Sequence, residues 1–376
     1  MASSAAWRAG PLAPPPRADA PQKNTRMNHP ASSFFATPTP PVVAASEAVG
    51  LNSSTAAVEH ATALVADELR DVEVRLADLL QSSIAVIPEL SGQLAFAGGK
   101  RFRPLVALLA ARALGFVDPV RITIAAVGEL LHTATLLHDD VIDSGEFRRG
   151  RPTARMNFGN GMAVLTGDFC LARGLQAIAY AGRLSAVQTL SDAVTRMAEG
   201  EVAQLQVAGD TSLDRERYYL VIDRKTAALI AWCASLGGLL EPRISAALHR
   251  YGLEIGYAFQ IADDVLDYTS DVDQTGKARG QDLRDGKLTL PLILACGHDP
   301  ALRRRLLQLL GDGPPVDATA AAAIVHSVSN SSAVEQAAAV AEDHARAAIA
   351  QLAALPPSPA RDALAELARY VARRRA

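Results

Sequence analysis

The sequence has few cysteines, few aromatic residues and no long uninterrupted apolar run. Its three cysteines, Cys170, Cys233 and Cys296, are odd in number and widely spaced. This pattern argues against a disulfide framework or a zinc site and favours buried thiols in a reducing compartment. No apolar run approaches the roughly 20 residues that a helix needs to span a bilayer. These absences predict a soluble, cytoplasmic protein without a membrane span.

An excess of basic residues and the patterns of β structure are also missing. Lys and Arg number 37 against 40 Asp and Glu, and they are dispersed along the chain, so nucleic-acid binding is not indicated. The chain shows no alternation of β-branched residues, and no Asn-Gly or Asp-Gly pair stands between strand-like runs. We therefore expect an all-α fold.

Residues 1–50 are rich in Ala, Pro and Ser and show no helical period. We interpret them as a disordered N-terminal extension, because such a composition buries too little apolar surface to fold. Two alternatives stay open. The cations of this segment lack acidic partners, as in an organelle transit peptide, and Met27 is a second candidate start.

From residue 55 to residue 376 apolar residues recur at spacings of three and four, which is the period of an amphipathic helix. We expect this whole stretch to form one domain of ten or more helices. The predicted helical segments lie near residues 57–81, 101–114, 119–140, 160–181, 185–208, 215–238, 243–268, 288–310 and 331–374.

Two aspartate clusters stand on the most apolar of these segments, Asp139-Asp140-x-x-Asp143 and Asp263-Asp264-x-x-Asp267. Residues one helical turn apart lie on one face, so the carboxylates of each cluster repel one another. The first cluster also ends its helix, where the helix dipole places partial negative charge. A hard divalent cation bound by carboxylate oxygens would offset both effects. The clusters therefore predict a metal site, and Mg²⁺ in particular combines carboxylates with substrate phosphates.

Compact groups of cations accompany both clusters. A glycine turn precedes Lys100, Arg101 and Arg103 at a helix start, where anions bind well. The other cations near the clusters are Arg148, Arg149, Lys225, Lys277 and Lys287. Two anion sites beside a metal site predict two diphosphate substrates. No general base or nucleophile is conspicuous, although His132, one to two turns before the first cluster, could donate a hydrogen bond to a phosphate.

The motifs together resemble those of the trans-type (head-to-tail) polyprenyl diphosphate synthases over about residues 60–375. The motifs that carry the resemblance are Gly98-Gly-Lys-Arg-Phe-Arg-Pro104, Leu137-His-Asp-Asp-Val-Ile-Asp143 with Arg148-Arg149-Gly150, Gly167-Asp168, Lys225-Thr226, Phe259-Gln-Ile-Ala-Asp-Asp-Val-Leu-Asp267 and Gly280-Gln-Asp-Leu-Arg-Asp-Gly-Lys-Leu-Thr-Leu-Pro291. The resemblance implies the isoprenoid synthase fold, a single large helical bundle around a central cavity. It also implies a homodimer and three Mg²⁺ ions bound with the allylic diphosphate.

The resemblance also implies roles for single residues. Asp139, Asp143 and Asp263 match the principal metal ligands, and Asp140, Asp264 and Asp267 match the supporting ones. The positions that match the isopentenyl diphosphate site are Lys100, Arg103, His132 and Arg149. The positions that match the allylic diphosphate site are Arg148, Lys225, Thr226, Gln260, Lys277 and Lys287. The residues expected to carry catalysis are Asp139, Asp140, Asp143, Asp263, Arg148 and Lys225. The implied reaction is ionisation of the allylic diphosphate followed by attack of isopentenyl diphosphate.

Small residues on the helix before the first cluster bear on product length. Ala134 and Thr135 stand one turn before Asp139, where short-chain members of this family place aromatic residues that close the product tunnel. We therefore predict a product of C30 or longer made from farnesyl or geranylgeranyl diphosphate, of the kind used as a quinone side chain and able to partition into membranes. A geranylgeranyl or farnesyl diphosphate synthase with a shorter product is the first alternative.

Two further alternatives come from other functional classes. A terpene cyclase shares the fold and the first aspartate motif, but it has no need for the Lys100 and Arg103 site. A non-catalytic subunit that tunes another prenyl synthase is disfavoured because every expected motif position is filled. An assay of the purified chain alone with magnesium would identify such a subunit, since it would show no elongation.

Overall fold

The computed structural model describes residues 53–148, 150–207, 212–269, 279–311 and 316–374. Within these ranges the chain folds into α-helices joined by short turns, with one small hairpin. The predicted all-α class is therefore confirmed. The predicted disordered extension, residues 1–50, lies outside the described residues.

The helices run in chain order from the end of the N-terminal segment to the C-terminus. They are α1 (Ser53–Leu64), α2 (Ala66–Leu79), α3 (Val86–Ala95), α4 (Phe102–Ala113), α5 (Val120–Ile142), α6 (Ala154–Phe158), α7 (Asn160–Tyr180), α8 (Leu184–Val207), α9 (Arg215–Ile222), α10 (Ala228–Ala234), α11 (Pro242–Thr269), α12 (Gln281–Arg284), α13 (Leu290–His298), α14 (Pro300–Leu310), α15 (Ala318–Ser329), α16 (Ala333–Gln351) and α17 (Pro359–Arg373). A π-helical turn, Asp223–Ala227, joins α9 to α10, and 3₁₀ turns occur at Leu236–Gly238 and Leu352–Ala354. Strands β1 (Phe147–Arg148) and β2 (Arg151–Pro152) pair antiparallel between α5 and α6.

Four of the predicted segments, 57–81, 215–238, 288–310 and 331–374, prove to contain two helices each, so those boundaries were wrong. The segment 288–310 breaks at Asp299, whose side chain accepts hydrogen bonds from the backbone N–H groups of Ala301 and Leu302 and so caps α14. The segment 331–374 breaks before Ser358, which caps α17 in the same way. A proline follows each cap at the first helical position, where its fixed φ favours a new helix. Helices α3, α6, α12 and α15 were not predicted.

Helices α5 and α11 are the two long helices that carry the aspartate clusters. Helix α5 packs against α7, α4 and α2, while α11 packs against α16, α10 and α17. Most of the apolar residues of α5 are buried, including Ile124, Val127, Leu130 and Leu131. Each cluster lies in the C-terminal turns of its helix, so both clusters meet the unfavourable end of a helix dipole.

Helix α5 is also the one described helix that is long and apolar enough to cross a bilayer, judged by length and composition alone. The sequence prediction did not single it out, because charged residues interrupt the apolar run. In the structure 67% of its most apolar window is buried inside the bundle. A helix buried to this extent belongs to the core of the bundle.

Candidate active site

All six aspartates of the two clusters line one cavity of about 1040 Å³. Asp139, Asp140 and Asp143 reach it from the end of α5, and Asp263, Asp264 and Asp267 from the end of α11. The two clusters are 120 residues apart in sequence, from Asp143 to Asp263, and packing of the two helices within one bundle brings them together. The cavity therefore concentrates carboxylates from two independent helix ends.

Burial makes the negative charge of this cavity costly. Desolvation raises the pKa of Asp139 to about 6, while Lys225 opposes the shift and Glu201 and Asp143 add to it. Desolvation and the charge of Asp267 raise the pKa of Asp282 to about 7. Such carboxylates are stabilised by any cation that enters the cavity.

Cations of the protein already contact the first cluster. Arg148 Nε lies 2.9 Å from Asp140 Oδ1, and Lys287 Nζ lies 3.2 Å from Asp143 Oδ2. Lys225 Nζ lies 3.8 Å from Asp139 Oδ1. Each aspartate of this cluster thus has a different basic partner, and the three partners come from β1, from the π-helical turn and from the segment after α12.

In the second cluster one carboxylate is more exposed than the other two, and those two accept hydrogen bonds from the protein. Asp264 is buried and accepts hydrogen bonds from the Tyr218 hydroxyl at 2.6 Å and from Gln260 Nε2 at 3.0 Å. Asp267 accepts from the backbone N–H groups of Gln281 and Asp282, at 3.1 and 3.2 Å.

The side chain of Asp263, by contrast, is 44% exposed and forms an ion pair with Arg374. Of the three aspartates in the second cluster, Asp263 has the carboxylate that is most accessible to a ligand.

The donor chemistry fits a divalent cation that is shared with a substrate. Among the described residues no three carboxylate, imidazole or thiolate groups are close enough to form a complete protein cage. Mg²⁺ typically binds one or two carboxylates and completes its octahedral shell with water and phosphate oxygens. Asp140 Oδ2 is buried and has no hydrogen-bond partner, so it is an oxygen with unused acceptor capacity beside the cavity. Asp139, Asp143 and Asp263 could hold such ions.

A second cavity, of about 890 Å³, adjoins the first and is basic. Lys100, Arg103 and His132 line it, and it shares Arg148 and Asp263 with the acidic cavity.

Arg103 and Lys100 supply the positive charge of the second cavity. Arg103 Nε is buried without a hydrogen-bond partner, and burial lowers the pKa of the guanidinium despite the nearby Glu129. Lys100 donates to the Tyr370 hydroxyl, and its Nζ stands 4.9 Å from the centre of that ring. These cations make the cavity suitable for an anion.

The glycine turn before α4 positions these cations. Gly98 and Gly99 have φ values of 83° and 148°, which a residue with a side chain rarely adopts. Arg101 pairs with Glu73 at 2.5 Å and with Glu129 at 3.0 Å. Arg101 therefore anchors the turn to α2 and α5 and leaves its two neighbouring cations on the cavity wall.

Not all predicted residues can be placed. Arg149 and Lys277 lie outside the described residues. Thr226, Gln260 and the other predicted diphosphate ligands among the described residues line one of the two cavities. Ala134 is buried on α5 and Thr135 is half-buried, and neither lines either cavity. The product tunnel they are predicted to border remains a prediction.

Four residues were missed from the sequence: three line a cavity, and the fourth, Glu201, contacts a residue that does. Asp282 lies two residues after a motif glycine, and Tyr218 lies two turns before Lys225, so both had a weak positional signal. Glu201 contacts Lys225 Nζ at 2.7 Å, but nothing in its helical surroundings distinguishes it. Arg374 reaches the basic cavity only because α17 packs against α4 and α11.

Carboxylates and cations around adjoining cavities in a helical bundle define a class of enzyme that performs metal-assisted diphosphate chemistry. Residues 85–327 match the family model described as Polyprenyl synthetase. The chain is 43% identical over 244 residues to an octaprenyl diphosphate synthase of Escherichia coli, covering 64% of this chain and 76% of that one. The chain belongs to the polyprenyl synthetase family, and it is a prenyltransferase.

Solved structures agree with this assignment. A polyprenyl synthase from Caulobacter crescentus, complexed with calcium and isoprenyl diphosphate, superimposes with a TM-score of 0.80 at 37% identity, covering 85% of this chain and 98% of that one. A decaprenyl diphosphate synthase from Rhodobacter capsulatus gives a TM-score of 0.79 at 36% identity, with coverages of 84% and 98%. The resemblance and the fold inferred from the motifs are thus confirmed. The family is one of metal-dependent prenyltransferases.

Proposed function

We propose that this chain is a Mg²⁺-dependent trans-type polyprenyl diphosphate synthase that elongates an allylic diphosphate with isopentenyl diphosphate to a product of C30 or longer. One observation carries the proposal. The acidic cavity, which holds both aspartate clusters, shares Arg148 and Asp263 with the basic cavity of Lys100 and Arg103. Two diphosphates bound in these cavities would lie next to each other.

The allylic diphosphate fits the acidic cavity when metal ions accompany it. In this proposal Asp139, Asp143 and Asp263 hold the ions, and Lys225 and Arg148 contact the diphosphate oxygens directly. Bound Mg²⁺ supplies Lewis-acid stabilisation of the charge that develops on a departing diphosphate. The protein cations add electrostatic stabilisation at the same oxygens, from positions that are already fixed before reaction.

Isopentenyl diphosphate fits the basic cavity, with Lys100, Arg103 and His132 as its partners and Arg149 as a further predicted one. The allylic C–O bond breaks and its electron pair leaves with the diphosphate. The double bond of isopentenyl diphosphate then attacks the allylic carbocation to form the new C–C bond. The departed diphosphate accepts the proton lost from the adduct, so no protein base is required.

A long product is supported by the helix that leads into the first cluster. Ala134 and Thr135 are small, and no aromatic residue occupies α5 between Val120 and Ile142. The relatives named above as octaprenyl and decaprenyl diphosphate synthases point in the same direction. We propose that the product is the precursor of a quinone side chain.

A homodimer is supported by an exposed apolar face on α6, α7 and the start of α8. Met156, Leu165, Tyr180 and Leu184 are 51%, 65%, 81% and 70% exposed. We call these four residues the α7 face. Large apolar side chains left exposed on successive helices are candidates for burial in a protein interface. We propose that two copies of the chain associate through this face. We also propose that the enzyme acts in the cytoplasm.

Product analysis of the purified chain tests the function. The chain alone is incubated with labelled isopentenyl diphosphate, farnesyl or geranylgeranyl diphosphate and Mg²⁺, and the dephosphorylated products are separated by thin-layer chromatography. We expect polyprenols of C30 or longer, and none after chelation of the metal with EDTA. Asp139→Ala should lower kcat by about a thousandfold or more, because it removes charge stabilisation from the transition state.

Other products would contradict the proposal in distinguishable ways. A cyclic hydrocarbon formed from the allylic substrate alone would identify a terpene cyclase. Elongation that requires a second protein would identify a non-catalytic subunit, and products no longer than C20 would leave the condensation intact but exclude the long chain.

A further inference from the structure

The π-helical turn Asp223–Ala227 carries two of the cavity residues, Lys225 and Thr226. A π-helical turn holds one more residue than an α-helical turn, is rare in helices and occurs frequently at functional sites. Asp223 begins the same turn but lines neither cavity. Its side-chain partners lie on α8 and α11.

Three successive residues of the turn pair with helix α8. Asp223 accepts from Arg196 Nη2 through its Oδ2 atom. Arg224 Nη1 lies 2.7 Å from Glu199 Oε2. Lys225 Nζ lies 2.7 Å from Glu201 Oε2. Each charge of the turn faces a charge of opposite sign on α8, so a rotation of the turn about its own axis would break all three ion pairs together.

A hydroxyl from α11 holds the other oxygen of Asp223. Tyr257 donates to Asp223 Oδ1 at 2.6 Å. Burial and this hydrogen bond raise the pKa of the Tyr257 hydroxyl, so it remains a protonated donor. Its ring contacts Tyr219 and His344, with ring centres 6.0 and 5.2 Å away. Tyr257 is therefore itself fixed by packing between α9 and α16.

Two glycines bring the neighbouring helices close to the backbone of the turn. A Cβ atom on Gly200 of α8 would lie 2.6 Å from the backbone nitrogen of Lys225. A Cβ atom on Gly256 of α11 would lie 2.6 Å from Cα of Ala227. The turn is thus confined on two sides, and its polar contacts select one orientation within that space.

We propose that Asp223, held by Arg196 and Tyr257, is a positioning residue that fixes the rotation of the π-helical turn and so directs Lys225 and Thr226 at the allylic diphosphate. This inference rests on the proposed function, because it takes Lys225 and Thr226 as ligands of that substrate. Asp223 acts on the reaction only through the turn. Its loss should therefore weaken productive binding of the allylic substrate and leave isopentenyl diphosphate binding intact.

Tyr257→Phe is the sharpest single test, because it removes one hydroxyl and keeps the ring that packs on Tyr219. We expect the KM for the allylic diphosphate to rise about fivefold, the equivalent of one hydrogen bond, with no change in the KM for isopentenyl diphosphate. Asp223→Ala should raise the allylic KM about tenfold, since it frees both partners. Tyr251→Phe is the matched control: its buried hydroxyl donates to the backbone oxygen of Leu364 at 2.9 Å, elsewhere on α11.

A double-mutant cycle separates positioning from a general loss of stability. The double variant Lys225→Ala, Thr226→Ala no longer has the two side chains that the turn directs at the allylic diphosphate. Adding Tyr257→Phe to this variant should therefore cause no further change in the KM for the allylic diphosphate. An unchanged fivefold effect in that background would overturn the proposal, as would equal changes in KM for the two substrates. A rise in the allylic KM for Tyr251→Phe as large as that for Tyr257→Phe would also overturn it.

The failure of this inference can be told from a failure of the proposed function. If Lys225→Ala, Thr226→Ala itself leaves the allylic KM unchanged, the assignment of the allylic site is wrong. If the KM for the allylic diphosphate rises in that variant but stays at the parent value in Tyr257→Phe and Asp223→Ala, the assignment of the allylic site is retained. Only the positioning role of Asp223 is then excluded.

Discussion

Burial determines how individual titratable side chains behave in this protein. The carboxyl of Asp139 and the thiols of the three cysteines are all removed from water, and burial raises the pKa of each. The consequences differ because the surroundings differ. Asp139 has Lys225 and Arg148 nearby, so its charge can be stabilised and used. For Cys170 burial is the only cause of the raised pKa, so it stays a neutral thiol.

The thiols should be inert in the folded protein. Burial raises the pKa of Cys170 and Cys233 to about 12 and that of Cys296 to about 11. At pH 8 the reactive thiolate is then roughly one part in a thousand or less. We expect no fast reaction of the native enzyme with a disulfide reagent such as DTNB, and reaction of three thiols after unfolding in guanidinium. Fast labelling of any cysteine in native protein would contradict the burial.

The hydroxyl of Tyr218 should support the metal site through its hydrogen bond to Asp264. It donates to Asp264 Oδ2 at 2.6 Å, and hydrogen-bond partners of metal-site carboxylates typically contribute a factor of about 10 to 100 in metal affinity or activity. Tyr218→Phe should therefore raise the Mg²⁺ concentration for half-maximal activity about tenfold. Tyr251→Phe provides the control, since its hydroxyl bonds far from the cavity. An unchanged Mg²⁺ requirement in Tyr218→Phe would exclude this role for Tyr218.

At the scale of helices, close packing through glycine determines where the functional segments lie. Helix α11 has glycines where it crosses the π-helical turn and α10. A Cβ atom at Gly252 would lie 2.4 Å from Cα of Ala231. Contacts this short leave no room for a methyl group. The position of the turn that bears Lys225 therefore depends on a residue type that carries no chemistry of its own.

Adding one methyl group at this contact should destabilise the fold. Gly256→Ala places a Cβ atom 2.6 Å from Cα of Ala227, and such overpacking typically costs about 1 to 3 kcal/mol. Gly297→Ala is the matched control, because its Cβ atom would meet nothing within 4 Å on α13. We expect Gly256→Ala to lower Tm and Gly297→Ala to leave it unchanged or raise it. Equal values of Tm for the two variants would contradict the packing.

The helix that leads into the first cluster should limit the length of the product. If α5 borders the product tunnel, Ala134→Phe should shorten the polyprenyl product by one or more isoprene units, because the ring would occupy space used by the growing chain. Ala134→Ser, which stays small, should leave the product distribution unchanged. Thin-layer chromatography of labelled products reads out both variants. An unaltered product ladder in Ala134→Phe would remove Ala134 from the tunnel.

At the scale of the whole molecule, the α7 face is a set of large apolar side chains that a single copy of the chain leaves exposed to water. Tyr180 and Leu184 are each at least 70% exposed. Burying such side chains against a second copy would contribute about 25 cal/mol for each Å² removed from water.

A charge placed in the α7 face should weaken the dimer. Leu165→Arg introduces a guanidinium that would be buried without a partner, which should raise the dimer Kd about tenfold or more. Val74→Arg is a suitable control, because Val74 is 72% exposed on α2 and lies outside the α7 face. Light scattering after size-exclusion chromatography should show a loss of mass only for Leu165→Arg. A monomeric parent protein would exclude the dimer itself.

Much of the site followed from local sequence. The helical period predicted the all-α class, and aspartates one turn apart at the end of an apolar helix predicted a cation, because both inferences depend only on neighbours along the chain. The glycine turn before Lys100 and Arg103 gave the same kind of local signal. The family resemblance added the pairing of two substrates, and similarity to solved structures has confirmed the fold.

Long-range packing supplied what local sequence could not. Arg374 pairs with Asp263 across 111 residues of sequence, and Glu201 pairs with Lys225 only because α8 crosses the π-helical turn. The π-helical turn itself has no sequence signal, since one extra residue in a helical turn leaves the apolar period nearly unchanged. Composition and helical period therefore specified which residues carry charge at helix ends, while packing of distant helices decided which of those charges meet.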